Sequence, residues 1–310
     1  MSTRSDWVIE TCNLSRRFGT KLALDALDLR VARGGVHAIV GANGAGKSTL
    51  FRILLGFMTP DSGGARVLGL ESAGLRAEDR ARIGFVNEEH QLPSWMRVAE
   101  LIALQRRQYA ARWSDAPLNE VLAYFQVQAD QRVAQLSRGE RAGLSLALAL
   151  AQGPELLLLD EPTLGLDMVA KRAFLEALLR VGLEQDCTVI YCSHLMDEIE
   201  RLAEQLIVIE RGRLRYQSTP EALCERVSLW QVEFPFRSPE LKDLPGLLCS
   251  QPLGALTELL FLDQSEGSVR HALQARGAAR MASMPVGLDR TINALLSQRH
   301  ARPAGELLHA

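Results

Sequence analysis

The sequence lacks a cysteine pattern that would fix its fold or hold a metal ion. Only five cysteines occur among the 310 residues, and no two of them form a C-x-x-C pair. An odd, scattered set argues against a disulfide framework and against a zinc site built on paired cysteines. We therefore expect reduced thiols, as in a cytosolic protein.

An excess of charge of either sign is also missing. The formal net charge at pH 7 is −2, and the segment after residue 226 carries eight positive and eight negative side chains. This balance provides no general attraction to nucleic acid or to an acidic membrane surface. We expect no nucleic-acid partner.

Long hydrophobic runs are absent as well. The most apolar stretch, residues 144–151, is far shorter than the roughly 20 apolar residues that a membrane-spanning helix needs. Residues 1–10 contain no apolar stretch of the signal-peptide type. The sequence predicts a chain that does not cross a membrane by itself.

The most informative motif that is present lies at residues 41–49 and fits the pattern G-x-x-x-x-G-K-[S/T]. A buried strand is predicted at 36–40 and a helix at 47–55, so a phosphate held by the loop would lie at a helix N-terminus. Lys47 would contact the β- and γ-phosphates, and Ser48 would ligate Mg²⁺. The alternative is a glycine-rich turn that binds nothing. The predicted nucleotide contacts are Gly41, Asn43, Gly44, Gly46, Lys47, Ser48 and Thr49.

Strands and helices are predicted to alternate along most of the chain. Residues 8–33 alternate apolar and polar side chains, which predicts an antiparallel β layer. Further strands are predicted at 65–68, 82–86, 155–159, 188–192 and 205–210, and helices within 98–151 and at 170–183 and 197–203. This order predicts an α/β fold with a largely parallel sheet.

The pattern changes near residue 226. Six of the twelve prolines follow this point, and we find no motif there. A chain of this length contains about two domains. We predict one domain at residues 1–226 and a small accessory α+β domain with a frayed C-terminus at residues 227–310.

Two acids, Asp160 and Glu161, end the apolar strand predicted at 155–159. The carboxyl ends of parallel strands form the edge at which α/β proteins bind ligands. Asp160 could hold Mg²⁺, directly or through water, and Glu161 could accept a proton from an attacking water. Two acids after a strand can also be a solvated turn, but the upstream phosphate loop favours the functional interpretation.

Five further residues allow both a functional and a structural interpretation. Ser137 begins a Ser-x-x-Glu capping box, and a capped helix N-terminus beside Gly139 can also bind an anion. His194 follows a predicted strand, from which it could reach a γ-phosphate; it could equally be a structural histidine. Asp167 is a functional turn residue or a helix N-cap, and Phe18 stacks on adenine or belongs to the core.

In this order, these motifs resemble the ATP-binding cassette (ABC) ATPases over residues 8–225. The resemblance implies a P-loop NTPase of ABC type with an antiparallel β layer, a helical subdomain at about 89–152 and a small C-terminal α+β extension. The matching motifs are Walker A at 41–49, Walker B at 156–161, the signature at 136–140, the D-loop at 165–167, the switch histidine at His194 and the adenine-stacking aromatic at Phe18.

Three positions, in two motifs, depart from the family pattern. The signature reads Leu-Ser-Arg-Gly-Glu, so that Arg138 and Glu140 stand where the family usually has glycine and glutamine. The position of the Q-loop glutamine falls on Glu88, with Glu89 as the alternative register. A glutamate there can still ligate Mg²⁺, but its charge should alter metal affinity and coupling.

The resemblance further implies ATP and Mg²⁺ as cofactors and a head-to-tail dimer of ATPase subunits. The Walker A loop of one chain and the signature of the other would enclose one ATP. Because this chain carries both halves, a homodimer is expected, and a heterodimer is the alternative. The implied catalytic residues are Lys47, Glu161 and His194, the Mg²⁺ ligands are Ser48, Glu88 and Asp160, and the further nucleotide contacts are Phe18, Ser137, Gly139 and Asp167.

The expected function is ATP hydrolysis that drives a membrane exporter. The permease would be formed by separate integral membrane chains, and this chain would be peripheral on the cytoplasmic face of the membrane. An importer ATPase and a soluble ABC ATPase acting on nucleic acid or ribosomes are the alternatives. A non-catalytic, nucleotide-gated binding module is disfavoured because every catalytic position is filled. In residues 91–96, where the family receives its membrane partner, Trp95 either lines the docking groove or fills the core.

Overall fold

A computed structural model describes residues 6–182, 187–235 and 241–297. The predicted frayed C-terminus lies outside the described residues, as do part of the segment at 1–10 and the last residue of the helix predicted at 170–183. The chain divides into two compact units, residues 1–217 and residues 218–310. The first unit contains two sheets and the second contains one, and each unit has its own hydrophobic core.

The elements of the first unit alternate between strands and helices as the sequence predicted. Its strands are β1 (Trp7–Phe18), β2 (Lys21–Ala32), β3 (Val36–Val40), β4 (Ser62–Val67), β5 (Leu70–Glu71), β6 (Ile83–Val86), β7 (Leu156–Asp160), β8 (Thr188–Cys192), β9 (Gln205–Glu210) and β10 (Arg213–Ser218). Its helices are α1 (Lys47–Leu54), α2 (Ala77–Arg80), α3 (Val98–Gln108), α4 (Asp115–Tyr124), α5 (Arg138–Ala151), α6 (Met168–Ala177) and α7 (Met196–Leu202). A π-helical stretch, Leu178–Gly182, continues α6.

An antiparallel sheet is formed in the order β2-β1-β4-β5. β1 and β2 make a hairpin in which Phe18 lies opposite Lys21. Gly19 in the turn has a φ of 56°, a conformation that two-residue hairpin turns favour and that glycine adopts readily. Buried and exposed side chains alternate along much of β2, so one face of this sheet packs on the core.

The central sheet has the order β10-β9-β3-β8-β7-β6, and its strands from β9 to β6 run parallel to their neighbours. Every residue of β3 and β8 is buried. Strands covered on both faces read as continuous apolar runs, which is why the sequence showed no alternation there. The predicted α/β architecture with a parallel sheet is confirmed.

Helix α1 packs between the two sheets. Leu50, Phe51 and Leu54 of this helix belong to one core cluster with Leu27 of β2 and Leu158 of β7. Burial of such large side chains fixes the helix firmly, each contributing roughly 1.5–3 kcal/mol. The loop that precedes α1 is therefore attached to a rigid support.

Helices α3, α4 and α5 form a helical region within the predicted limits of 89–152. Its core depends on a close contact, because a Cβ on Gly143 would lie 2.2 Å from Cγ of Phe125. Leu92 and Met96 pack against this core, whereas Trp95 is 73% exposed. The structure therefore rejects the interpretation of Trp95 as a core residue.

The second unit is a small α+β structure, as predicted. Its elements are α8 (Pro220–Glu225), β11 (Val227–Glu233), β12 (Leu247–Leu253), β13 (Leu256–Leu262), α9 (Glu266–Ala275), β14 (Arg280–Met284) and α10 (Leu288–Ser297). The strands form an antiparallel sheet in the order β12-β13-β11-β14. Trp230 is fully buried, with the guanidinium of Arg270 5.5 Å from its ring centroid.

The boundary between the units precedes the predicted one at residue 226. Helix α8 belongs to the second unit, because Leu223 is fully buried and the hydroxyl of Thr291 on α10 donates to Sγ of Cys224 at 3.9 Å. Over the described ranges, every helix is too short or too polar to cross a bilayer.

Candidate functional site

Three segments meet at the carboxyl edge of the parallel sheet. β3 lies next to β8, and β8 next to β7, so the loops that follow these strands leave the sheet side by side. Ile39 of β3 and Asp160 of β7 both lie opposite Cys192 of β8. The glycine-rich loop, the acid pair and His194 are thereby brought to one edge, where α/β sheets bind ligands.

The loop between β3 and α1 requires glycine at two positions. Gly46 has a φ of 107°, and a Cβ there would lie 2.4 Å from the carbonyl oxygen of Ala23. A Cβ on Gly41 would lie 2.2 Å from the carbonyl oxygen of Ile209. Both distances are far below van der Waals contact. A side chain at either position would collide with the neighbouring backbone, which explains why the motif has glycine there.

The N-terminus of α1 is open to an anion. Its cap residue is Gly46, so no side chain accepts hydrogen bonds from the first-turn N–H groups. These groups and the helix dipole favour a bound phosphate. Asn43, Gly44 and Ser48 are exposed beside them, and Thr49 is half-buried.

Two lysines reach this loop. Lys47 is 7% exposed, and its Nζ donates to the carbonyl oxygen of Gly41 at 2.7 Å. Nζ of Lys21, in the neighbouring hairpin, lies 3.0 Å from where a Cβ on Gly44 would stand. Sequence reasoning missed Lys21, since only the packing of the two sheets brings it to the loop. The two ammonium groups add positive charge to an anion site.

One oxygen of Asp160 is buried without a partner. No group among the described residues hydrogen-bonds to its Oδ1. Burial raises the pKa of the neighbouring Cys192 thiol, and the negative charge of Asp160 adds to this effect. A buried carboxylate oxygen without a donor fits a hard cation such as Mg²⁺, which prefers oxygen ligands.

Glu88 is exposed in the turn that follows β6. Across the described part of the chain, no three acidic, histidine or cysteine side chains are grouped so that they could hold a metal ion. Glu88 therefore does not form such a group with Asp160 and Glu161. A magnesium site here needs the Ser48 hydroxyl and phosphate oxygens as additional ligands.

The buried side chain of the same turn is His90, which sequence reasoning missed. It is 2% exposed, and its Nε2 lies 2.9 Å from the carbonyl oxygen of Pro162, the residue after Glu161. Desolvation lowers the pKa of His90 to about 4, with Arg138 and Arg141 adding to the effect. The neutral ring donates Nε2–H to Pro162 and ties this turn to the acid pair. A single histidine in a loop gives no sequence signal for such a role.

Glu161 and His194 are in direct contact. Oε2 of Glu161 lies 2.7 Å from Nδ1 of His194, and the Glu161 N–H donates to the carbonyl of Cys192 at 2.9 Å. Glu161 has a φ of 49°, a left-handed conformation that is uncommon outside glycine. Its side chain is 13% exposed. A carboxylate held at one oxygen keeps the other available as a proton acceptor.

The capping interpretation of Ser137 is confirmed. Oγ of Ser137 accepts from the backbone N–H of Glu140 at 3.1 Å, and the Glu140 carboxylate accepts from the Ser137 N–H at 2.6 Å. Asp167 similarly caps α6, its Oδ1 accepting from the N–H of Ala170 at 2.8 Å. In the described ranges, no hydrogen bond or ion pair joins Ser137 or Asp167 to the loop at 41–49.

The signature segment packs on the turn at 165–167. A Cβ on Gly165 would lie 2.7 Å from Cζ of Arg138, and a Cβ on Gly139 would lie 2.8 Å from Cβ of Ala170. Arg138, which stands where the family usually has glycine, therefore packs against Gly165 of the D-loop.

Phe18 is 44% exposed at the end of β1, and the guanidinium of Arg16 lies 5.2 Å from its ring centroid. The ring is accessible for stacking, as its predicted contact with adenine requires. Arginine beside the ring adds a cation–π contact.

Comparisons with known proteins agree with this geometry. The sequence profile of the ABC transporter family matches residues 24–164. The Nod factor export ATP-binding protein I of Rhizobium sp. (strain N33) is 35% identical over 292 residues, which cover 91% of this chain and 94% of that protein.

Solved structures show the same similarity. An ATP-binding subunit of an ABC transporter superposes with a TM-score of 0.62 at 25% identity, over 70% of this chain and 92% of that one. A bacterial Atm1-family ABC exporter with ATP bound also gives a TM-score of 0.62, at 26% identity, over 72% of this chain and 40% of the exporter.

Proposed function

This chain belongs to the ABC transporter family as an ATP-hydrolysing subunit, and we propose that it powers export through membrane subunits formed by separate chains. The observation that carries the proposal is the meeting of the phosphate loop, Asp160, Glu161 and His194 at one sheet edge. Export is supported by the relatives, which are named Nod factor export proteins, and by the likeness to an exporter.

Binding of the phosphates is assigned to the loop and the helix that follows it. The proposed contacts come from the N–H groups at the start of α1 and from Lys47, which stabilise charge that develops on the transferred group. Because Nζ of Lys47 donates to Gly41 in this structure, it must turn toward the nucleotide on binding. The remaining proposed contacts are Phe18, Asn43, Gly44, Gly46, Ser48 and Thr49.

Glu161 is the proposed proton acceptor for the attacking water. General-base catalysis typically contributes 10²- to 10⁴-fold to the rate. His194 holds one carboxylate oxygen through Nδ1, which leaves Nε2 as the ring atom that could contact the γ-phosphate. Because a carboxylate and a phosphate oxygen both accept hydrogen bonds, one imidazole holds both together only when each ring nitrogen carries a hydrogen.

Mg²⁺ is the proposed metal cofactor, and when bound it neutralises charge on the β- and γ-phosphate oxygens. The unpartnered oxygen of Asp160 and the exposed hydroxyl of Ser48 support this proposal. Glu88 is retained as a further proposed ligand, because its carboxylate has the right chemistry.

Dimerisation is proposed because three of the predicted nucleotide contacts, Ser137, Gly139 and Asp167, lie on segments other than the phosphate loop. Arg138, which lies between Ser137 and Gly139, packs on Gly165 in the turn at 165–167, and we propose that this segment reaches a nucleotide on a second chain. Next to this turn, Met168 is 87% exposed and Val169 is 81% exposed. Exposed apolar side chains beside polar functional groups are typical of a surface that an assembly covers. Because each chain carries both halves, a homodimer is the simplest assembly.

Docking to a membrane subunit is proposed at a cavity of about 710 Å³ beside β6 and α3. Its walls include Phe57 and Phe85, which are 66% and 37% exposed, and also Leu92 and Tyr109. Trp95 does not line this cavity, although it is exposed in the same segment as Leu92. We propose that a helix of a permease occupies the cavity and holds this chain on the cytoplasmic face of the membrane.

Membrane fractionation and reconstitution test the proposed function. The tagged chain is expected to sediment with membranes and to co-purify with a multispanning protein that stimulates its ATPase. In vesicles with the ATPase facing outward, ATP-dependent accumulation of the molecule that stimulates turnover indicates export. Release of preloaded molecule would instead indicate import, and sedimentation with ribosomes or DNA would reject transport.

A further inference from the structure

A buried carboxylate contacts the turns that carry the candidate site. Glu198 on α7 is only 3% exposed and accepts hydrogen bonds from three hydroxyl groups. Oγ1 of Thr163 lies 2.7 Å and 2.9 Å from its two oxygens, and the hydroxyls of Tyr191 and Ser193 lie 2.6 Å and 3.0 Å from Oε2. Nζ of Lys171 lies 3.9 Å from Oε1. These donors satisfy the hydrogen-bonding capacity of both carboxylate oxygens.

Two of the three hydroxyls belong to the turns that carry the proposed catalytic pair. Thr163 lies two residues after Glu161, and Ser193 directly precedes His194. The carboxylate of Glu198 thus joins both turns, and the contact between Glu161 and His194 joins them a second time. Tyr191 holds the same carboxylate from the rigid strand β8, and burial raises the pKa of its phenol, which therefore remains a donor.

These turns need such an anchor. Glu161 is held in a left-handed backbone conformation, which persists only where its surroundings fix it. The direct contact between Glu161 and His194 must weaken when Glu161 takes a proton from water, because its charge is then lost. The hydrogen bonds to Glu198 do not depend on that proton.

We propose that Glu198 is a positioning residue, which keeps Glu161 and His194 at a fixed separation while the proton is transferred. This inference rests on the proposed function, since it assumes that Glu161 is the base. Glu198 is buried and hydrogen-bonds to Thr163 and Ser193, so its effect on catalysis operates through these two residues. Small displacements of a catalytic group can cost up to about 10²-fold in rate.

Removal of single hydroxyls tests the proposal. Thr163→Val and Ser193→Ala each release one turn from Glu198 and leave the carboxylate in place. Thr11→Val is the matched control, because Thr11 is also buried and donates one hydrogen bond, to the carbonyl of Leu27 at 2.8 Å on the antiparallel sheet. Glu198→Gln, which keeps the side-chain shape, completes the set.

We expect Thr163→Val and Ser193→Ala to lower kcat about tenfold or more, with KM for ATP changed less than about threefold. Thr11→Val should leave kcat and KM unchanged, even if it lowers Tm as much as Thr163→Val and Ser193→Ala do. In a Glu161→Gln background, Thr163→Val should produce no further loss, because a displaced base and an absent base have the same consequence.

Unchanged kcat in Thr163→Val and Ser193→Ala would overturn the proposal, as would an effect that adds in full to Glu161→Gln. If kcat falls in proportion to Tm in all three variants, the control Thr11→Val included, the cluster around Glu198 only stabilises the fold. If Glu161→Gln itself retains full turnover, the assignment of the base fails instead, so the two failures are distinguishable. Should Glu198→Gln not fold, the hydroxyl variants still decide the question.

Discussion

Nδ1 of His194 lies 2.7 Å from Oε2 of Glu161, although the two residues follow different strands of the central sheet. The contact exists because β7 and β8 are neighbours and end in register, with Asp160 opposite Cys192. It gives Glu161 a defined orientation, and it brings together a histidine and a carboxylate that lie far apart in the sequence.

Replacement of Glu161 by glutamine should separate binding from hydrolysis. Glu161→Gln removes the proton acceptor and keeps the side-chain size, so we expect ATP binding and an ATP-stabilised dimer with turnover reduced about 10²- to 10⁴-fold. Nucleotide binding, size-exclusion chromatography with ATP and steady-state ATPase rates measure these properties. Wild-type turnover in the variant would show that another group accepts the proton.

Glycine at position 46 should be essential to nucleotide binding. In Gly46→Ala the new Cβ would lie 2.4 Å from the carbonyl of Ala23, at a φ of 107° that alanine avoids. We expect ATP affinity to fall at least about tenfold, because the loop must shift away from the phosphates. Gly74→Ala is the control, since a Cβ there meets open space. Equal affinity in both variants would mean that the loop tolerates the displacement.

Acid should destabilise the protein partly through His90. Its pKa of about 4 in the folded chain lies below the ordinary value of 6.5, so the unfolded chain binds more protons as the pH falls from about 6.5 to 4. The free energy of unfolding should decrease across this range, with His90 contributing at most about 3 kcal/mol.

The variant His90→Gln removes this titration and keeps a donor for the carbonyl of Pro162. Urea unfolding at pH 7 and pH 4.5 should show a smaller loss of stability in the variant than in the wild type. Burial also lowers the pKa of His37, which provides a common background in both proteins. An identical pH dependence would show that His90 is not kept neutral by the fold.

The docking cavity should be sensitive to charge at its exposed wall. Phe57 is 66% exposed, so Phe57→Glu should fold normally, yet it should reduce co-sedimentation with membranes because a carboxylate would be buried against the permease. Trp95→Glu tests the neighbouring surface in the same assay. Leu253→Glu, at an exposed position of the second unit, is the control. If Phe57→Glu remains membrane-bound, the permease docks elsewhere.

Much of the architecture was predictable because local patterns and packing agree. The strand at 36–40 and the strand at 188–192 were predicted at the bounds that the structure shows, since fully buried parallel strands are continuous apolar runs. The boundary between the two units was harder to predict from the sequence. Helix α8 follows β10 after a single residue, and its packing against α10 and β11 assigns it to the second unit.

The sequence by itself determined the residues that could perform the chemistry. The spacing of Gly41, Gly46, Lys47 and Ser48 is local, and so is the succession of strand, Asp160 and Glu161, because each depends on neighbours along the chain. Such short-range constraints leave a readable pattern.

Tertiary structure alone decided which of those residues meet and what holds them. Lys21, His90 and Glu198 reach the site through contacts with residues of other segments, namely the glycine-rich loop, Pro162 and Thr163. No residue type or spacing in the sequence indicates these contacts in advance. Burial decided their chemistry as well: it keeps His90 neutral, and it makes the Glu198 carboxylate depend on hydroxyls contributed by two separate turns. Contacts of this kind arise only when the strands have taken their order in the sheet.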